Sequence, residues 1–177
     1  MSIFLEDIKL SIGLEEKGYD FYTKTAERTS NPLAKATLSS LAERELIHLE
    51  RIKEFYKTIT GDKTFSESWL KHIFVAPKKE ELLKPILERL KSHLNEKNFK
   101  TKQDINEAYK IAEGLETDSF NLYDKIAKES SDDTAKKFYS ALAIEEREHY
   151  AILDETLLYL NDPGEWFKRQ ERWIVEG

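Results

Sequence analysis

The chain has 177 residues, a length that fits a single domain able to bury a sizeable core. It contains no Cys, which excludes disulfides and thiolate or iron–sulfur metal sites, so a metal ion would need oxygen and nitrogen ligands. The net charge of −6 argues against a nucleic-acid partner, and the lack of a membrane-length apolar run or a signal-peptide pattern predicts a cytoplasmic protein without a membrane partner.

The first part of the chain predicts two helices joined in a hairpin. Residues 3–29 place apolar side chains at alternating steps of three and four, which is the spacing of one helix face. Asn31 has a side chain of the type that caps a helix N-terminus, and Pro32 suits the first helical position. A second helix with the same spacing is therefore expected over about residues 32–59.

A long connection, residues 62–101, separates this hairpin from a second one. Short helices are expected within it at 66–75 and 80–96. The second hairpin follows, with one helix over about 102–130 and another that ends before Asp162. A crossover of this length allows the second hairpin to lie beside the first with the second and third helices parallel.

These elements predict an all-α fold in which residues 1–162 form a four-helix bundle made of two hairpins and a long helical crossover. The content of only 6 Gly and 4 Pro supports long helices over many-stranded sheets. The tail, residues 163–177, carries Trp166, Phe167 and Trp173. We expect this apolar tail to dock on the bundle, with a partner subunit as the alternative surface.

The two hairpins are copies of one pattern. Aligning residues 13–52 with 114–153, at a fixed offset of 101, gives 14 identities in 40 positions, several times the number expected for unrelated segments. In the first copy, Glu15 is followed 30 residues later by Glu45, and His48 comes three residues after that. The corresponding residues of the second copy are Glu116, Glu146 and His149.

All six of these residues interrupt the apolar face of their helix, so they are expected to point into the bundle. Four buried carboxylates without compensation would be very costly, whereas two divalent cations cancel their charge and neutral histidines add nitrogen ligands. A Glu from each of two helices, with a Glu-x-x-His from each of the other two, is the arrangement of di-iron carboxylate sites. The residues therefore predict a two-metal site, in which iron, manganese or a mixed pair could bind.

Three further residues lie near this predicted site. Glu113 precedes Glu116 by three positions on the same helix face, so it could be an extra carboxylate at the site or lie at the solvated end of the interface. Tyr22 and Tyr123 follow Glu15 and Glu116 by two helical turns. They could donate hydrogen bonds to the ligands, act as redox-active phenols or simply belong to the core.

The stretches Leu14 to Tyr22 and Leu41 to His48, with their second-half equivalents, resemble the ferritin-like superfamily, and within it the rubrerythrin-related single-domain proteins. The resemblance covers the four bundle helices but not residues 62–101 or the tail. It implies that Glu45 and Glu146 bridge two iron ions. The resemblance also implies the remaining ligands of each metal, which are Glu15 with His48 and Glu116 with His149.

The sequence departs from rubrerythrin itself at two points. Without Cys, these 177 residues cannot hold a rubredoxin-type iron site, so an external electron donor is needed. Rubrerythrin also has an additional carboxylate three residues after the ligand of the third helix, where this chain has Ser119. The redox-linked metal movement of that family is therefore not carried over to this chain.

The resemblance implies an enzyme that defends against oxidative stress. We expect a di-iron oxidoreductase that reduces hydrogen peroxide or dioxygen with electrons from a rubredoxin-like donor, assembled as a homodimer. One alternative is a ferroxidase that stores iron, which would require a closed cage of many subunits. Another is a metal-binding bundle without catalytic activity.

Overall fold

A computed structural model describes residues 2–60 and 102–176, and the side chains of residues 5–58 and 104–169. The expected helices at 66–75 and 80–96 lie outside these ranges. Within them the chain forms five helices: α1 (Ser2–Arg28), α2 (Pro32–Thr60), α3 (Lys102–Glu129), α4 (Asp133–Asn161) and α5 (Pro163–Glu176). The predicted all-α fold is confirmed.

The helix starts depend on side-chain caps. Asn31 Oδ1 accepts a hydrogen bond from the backbone N–H of Ala34 at 3.0 Å, which confirms Asn31 as the cap of α2. At the repeat-related position, Asp132 Oδ1 accepts from the N–H of Ala135 at 2.8 Å and caps α4. The two hairpin turns thus use the same device, with Pro32 favouring the first turn of α2.

The order of contacts between the hairpins gives the direction of each helix. α1 packs on α3 and α2 on α4, in addition to the packing within each hairpin. Tyr22 contacts Glu116, whereas the earlier Glu15 contacts the later Tyr123, so α1 and α3 are antiparallel. The corresponding contacts between α2 and α4 are Thr37 with Thr156 and Phe55 with Phe138. Helices α2 and α3 therefore run in the same direction.

Two apolar clusters fill the bundle on either side of a polar middle layer. One contains Ile52 and Leu142, and the other contains the repeat-related Leu153 and Leu41. Along α2 the sequence passes from the second cluster through polar residues 45 and 48 to the first cluster, and along α4 it does the reverse. The two copies of the sequence repeat are therefore related in the structure by a near-two-fold axis through the middle of the bundle.

The tail forms a helix that follows α4 after a short break. Asp162 Oδ1 accepts a hydrogen bond from the N–H of Glu165 at 2.9 Å and begins α5. α5 packs against α4, where the ring of Trp166 lies 5.4 Å from that of Tyr159. None of the helices in the described part of the chain is both long enough and apolar enough to cross a membrane.

Candidate metal centre

Six ionisable side chains meet in the polar layer, and each is at most 3% exposed. Every bundle helix contributes at least one of them. They are Glu15 from α1, Glu45 and His48 from α2, Glu116 from α3, and Glu146 and His149 from α4. The i, i+3 spacing on α2 and α4 places each Glu and His on one helix face, and the hairpin register brings the four faces together.

Glu146 lies between the two imidazoles. Its Oε1 is 2.9 Å from Nδ1 of His48, and its Oε2 is 3.4 Å from Nδ1 of His149. The two rings are nearly parallel, with centroids 5.2 Å apart and planes 14° apart. One carboxylate thus presents an oxygen to each histidine, which is the arrangement that a bridging ligand requires.

Glu15 and Glu116 occupy equivalent positions at opposite sides of this group. Oε2 of Glu15 is 3.4 Å from Nδ1 of His48, and Oε2 of Glu116 is 3.5 Å from Nδ1 of His149. The other oxygen of each carboxylate accepts a hydrogen bond from a tyrosine. The two donors are the hydroxyls of Tyr123 for Glu15 and of Tyr22 for Glu116. Each carboxylate therefore turns one oxygen to a tyrosine and the other to the histidine.

Glu45 completes the group from α2. Its Oε1 is 3.5 Å from Nδ1 of His149. Its Oε2 points to Gly18 of α1, where a Cβ atom would lie only 2.7 Å from that oxygen. The repeat-related residue of α3 is Ser119, so the space beside Glu45 is a feature of one half only. Gly18 thus makes room for a carboxylate at the centre.

The donor atoms fit a pair of metal ions. One donor atom from each of Glu45, His48, Glu146 and His149 can be chosen so that all four lie within 4.8 Å of one another. Among the described residues, several of these inward-facing atoms have no hydrogen-bond partner although they are fully buried. They are Glu15 Oε2, Glu45 Oε1, both oxygens of Glu146 and Nδ1 of both histidines. Such converging lone pairs suit metal coordination better than a hydrogen-bonded polar core.

The pKa values of these groups reflect their crowding. Burial, together with the charge of Glu146, raises the pKa of Glu116 from 4.5 to about 8, and burial also raises the pKa of Glu45. Burial opposes protonation of His48 and His149, but the neighbouring carboxylates outweigh it and raise both pKa values well above 6.5. The metal-free centre therefore retains protons that two divalent cations would displace.

The sequence reasoning missed one buried residue, Glu145. It is 1% exposed, and its Oε2 accepts a hydrogen bond from Nε2 of His48 at 3.1 Å. Its Oε1 accepts from Nη1 of Arg51 at 2.6 Å. Burial alone would raise the pKa of Glu145, but the hydrogen bond from His48 and the charge of Arg51 hold it below its usual value. A signal existed, because Glu145 lies three residues after buried Leu142 on α4 and four before His149.

Glu113 does not join the six residues. It is half-buried, and beyond burial itself the groups that shift its pKa are Asp154, which raises it, and Lys110, which lowers it. Its repeat-related partner, Ile12, packs against an apolar cluster. The structure thus brings together the six predicted ligands and both tyrosines, and it leaves Glu113 at the margin of the interface.

A surface cavity of about 150 Å³ lies between α3 and α4. Two of the carboxylates described above contribute to its lining, although both are buried. The lining residues are Glu116, Thr117, Phe120, Glu146, Arg147 and Tyr150. Its size suits a molecule of a few atoms.

A comparison with known families gives a match. The family model described as Rubrerythrin matches residues 6–157, which is most of the chain and includes all six buried residues. No curated protein and no solved structure matches the chain. The family match confirms the resemblance that the repeated Glu and His pattern predicts.

Proposed function

Because the chain belongs to the rubrerythrin family, we propose that it is a non-haem di-iron oxidoreductase that reduces hydrogen peroxide or dioxygen with electrons from an external donor. The observation that carries this proposal is the position of Glu146, which offers one oxygen to His48 and the other to His149. A carboxylate shared by two imidazoles suits two metal ions and has no evident purpose in a purely structural core. Iron is the metal that the family suggests.

The six buried residues would hold the pair. Glu146 and Glu45 are suited to the shared positions, and the Tyr-bound carboxylates to the outer ones. When bound, two ferrous ions would supply both electrons for cleaving the O–O bond of a peroxide and Lewis acidity toward its oxygens. The overall reaction consumes one peroxide, two protons and two electrons and yields two waters.

The protein contributes charge balance, fixed ligand orientation and a dry environment. Four carboxylates oppose the four positive charges of two divalent ions, and Glu145 is balanced separately by Arg51. Tyr22 and Tyr123 fix the outer carboxylates, since burial raises the pKa of both phenols and keeps them protonated as donors. The apolar clusters on both sides exclude bulk water.

The reducing electrons must come from another molecule. These 177 residues contain no Cys, so they hold no cysteine-ligated electron carrier. A small rubredoxin-like protein is the donor that we propose. The cavity between α3 and α4, whose lining includes Glu116, is the route that we propose for a small oxidant.

Anaerobic loading with ferrous iron tests the proposal. We expect two ions per chain. The loaded protein should consume peroxide rapidly, and stopped-flow absorbance measures this consumption. Glu146→Ala and His149→Ala should abolish peroxide consumption, whereas Glu148→Gln, a half-buried position on the same helix, should not alter it. Undiminished turnover in Glu146→Ala would refute the assignment. Iron uptake far above two ions per chain, in a cage-sized particle by size-exclusion chromatography, would indicate storage instead.

A further inference from the structure

The residues behind the two histidines differ although the histidines themselves are repeat-related. Nε2 of His48 donates to the buried carboxylate of Glu145, which is in turn held by Arg51. A carboxylate in this position orients an imidazole, fixes its tautomer and makes Nδ1 a stronger donor to a metal ion. We call Glu145, together with the Arg51 that holds it, the outer support of His48.

Among the described residues, His149 has no equivalent support. The positions that correspond to Glu145 and Arg51 under the offset of 101 are Arg44 and Ile152. A guanidinium offers only donors and an aliphatic side chain offers no polar group, so neither can accept a bond from an imidazole. In the described part of the chain, Nε2 of His149 is buried and has no hydrogen-bond partner.

The surface cavity lies on the hairpin of α3 and α4, which carries His149. Its lining includes Glu116, whose Oε2 lies 3.5 Å from Nδ1 of His149, and Glu146, which lies between the two histidines at 3.4 Å from His149 and 2.9 Å from His48. On the other side, Nη1 of Arg51 lies 2.6 Å from Oε1 of Glu145, next to His48. The hydrogen-bond partners of the two histidines are thus distributed unequally between the two halves.

We propose that the two metal positions are unequal, and that Glu145 is the positioning residue that makes them so. This inference rests on the proposed two-metal function. The ion next to His48 binds more tightly, and the ion next to His149 binds more weakly. The ligands alone do not show this difference, because the three proposed ligands of one repeat are the same residue types as the three of the other.

Titration with cobalt(II), followed by calorimetry and by the visible absorption of the bound ion, tests the inference. Wild-type protein should show two binding steps of different affinity. Glu145→Gln should weaken the tighter step by roughly 10- to 100-fold and leave the weaker step unchanged. Glu148→Gln is the matched control and should alter neither step. Far-UV circular dichroism checks that each variant is folded.

Two variants that each lack one histidine show which cobalt-binding step belongs to which metal position. His149→Ala should retain the tighter step, and adding Glu145→Gln should still weaken it. In His48→Ala the tighter step should be missing, and Glu145→Gln should have no further effect. If Glu145→Gln fails to fold, Arg51→Gln carries the same test, since Arg51 is partly exposed and its loss removes the cation that holds Glu145.

The outcomes separate this inference from the proposed function. Two steps of equal affinity in wild-type protein, or an equal effect of Glu145→Gln in both backgrounds, would overturn the inference and leave a two-metal site intact. An absence of cobalt binding to wild-type protein would overturn the two-metal proposal itself.

Discussion

The hydroxyl of Tyr22 on α1 donates a hydrogen bond to Glu116 on α3, and its repeat-related counterpart, Tyr123, donates to Glu15. Each hairpin thus supplies a tyrosine that fixes a carboxylate of the other hairpin. These paired bonds cross the interface between α1 and α3 at the level of the proposed metals. They connect the assembly of the bundle to the orientation of the site.

Replacing Tyr22 with Phe should destabilise the protein and weaken metal binding. The change leaves a buried oxygen of Glu116 without its donor, at a cost of about 1–3 kcal/mol. Urea denaturation of the metal-free protein measures this cost. Tyr19→Phe is the matched control, because Tyr19 is half-buried on the same helix and its hydroxyl makes no hydrogen bond with the described residues. Equal losses in both variants would argue against a role for the Tyr22 hydroxyl.

Replacing Gly18 with Ala should separate helix stability from metal binding. Ala in a helix interior is more favourable than Gly by about 1 kcal/mol, so the metal-free protein should keep or gain stability. The new Cβ would lie 2.7 Å from Oε2 of Glu45 and force that carboxylate away. Metal affinity, measured by cobalt titration, should fall at least roughly 10-fold.

Gly13→Ala provides the control for this prediction. Gly13 lies on the same helix, and a Cβ there would meet nothing within 4 Å. It should raise stability by a similar amount and leave metal affinity unchanged. A Gly18→Ala protein that binds cobalt as tightly as wild type would show that Glu45 does not depend on this space.

The six residues that meet in the polar layer could be predicted from the sequence, whereas the contact between Glu145 and His48 could not. Identical residues at a fixed offset identify these six, but Glu145 lies opposite Arg44 in the repeat and so escapes a search for identities. Tyr22 lies two turns from Glu15 on one helix, about 10 Å away and too far for contact. Its bond to Glu116 depends on the register between α1 and α3, which helical periodicity alone does not determine.

The stability of the metal-free protein should fall as pH rises through the neutral range. Glu116, with a folded-state pKa of about 8 instead of 4.5, binds a proton in the folded protein that the unfolded chain releases. The raised pKa values of His48 and His149 act in the same direction, since the stability they give below 6.5 is lost on deprotonation. The pKa of Glu146 is lowered, which gives a stability that is lost only when the pH falls below the ordinary value of 4.5. Glu146 therefore does not change the trend in the neutral range.

Thermal melting with and without cobalt checks this pH dependence. The melting temperature of metal-free protein should decrease between about pH 5 and pH 8.5. The increase produced by cobalt should become larger over the same range, because metal ions compete with the protons held by the centre. A metal-free protein that gains stability with rising pH would contradict the raised pKa values.

Filling the cavity between α3 and α4 should slow oxidant entry without removing the metals. Thr117 is an exposed lining residue, and Thr117→Trp places a bulky ring at the mouth of a cavity of about 150 Å³. We expect kcat/KM for peroxide to fall roughly 10-fold, about 1.4 kcal/mol in barrier, while iron stoichiometry stays at wild-type level. Glu16→Trp, at the repeat-related exposed position of α1, should leave both quantities unchanged. A loss of activity that is equal in the two variants would mean that the oxidant does not enter beside Glu116.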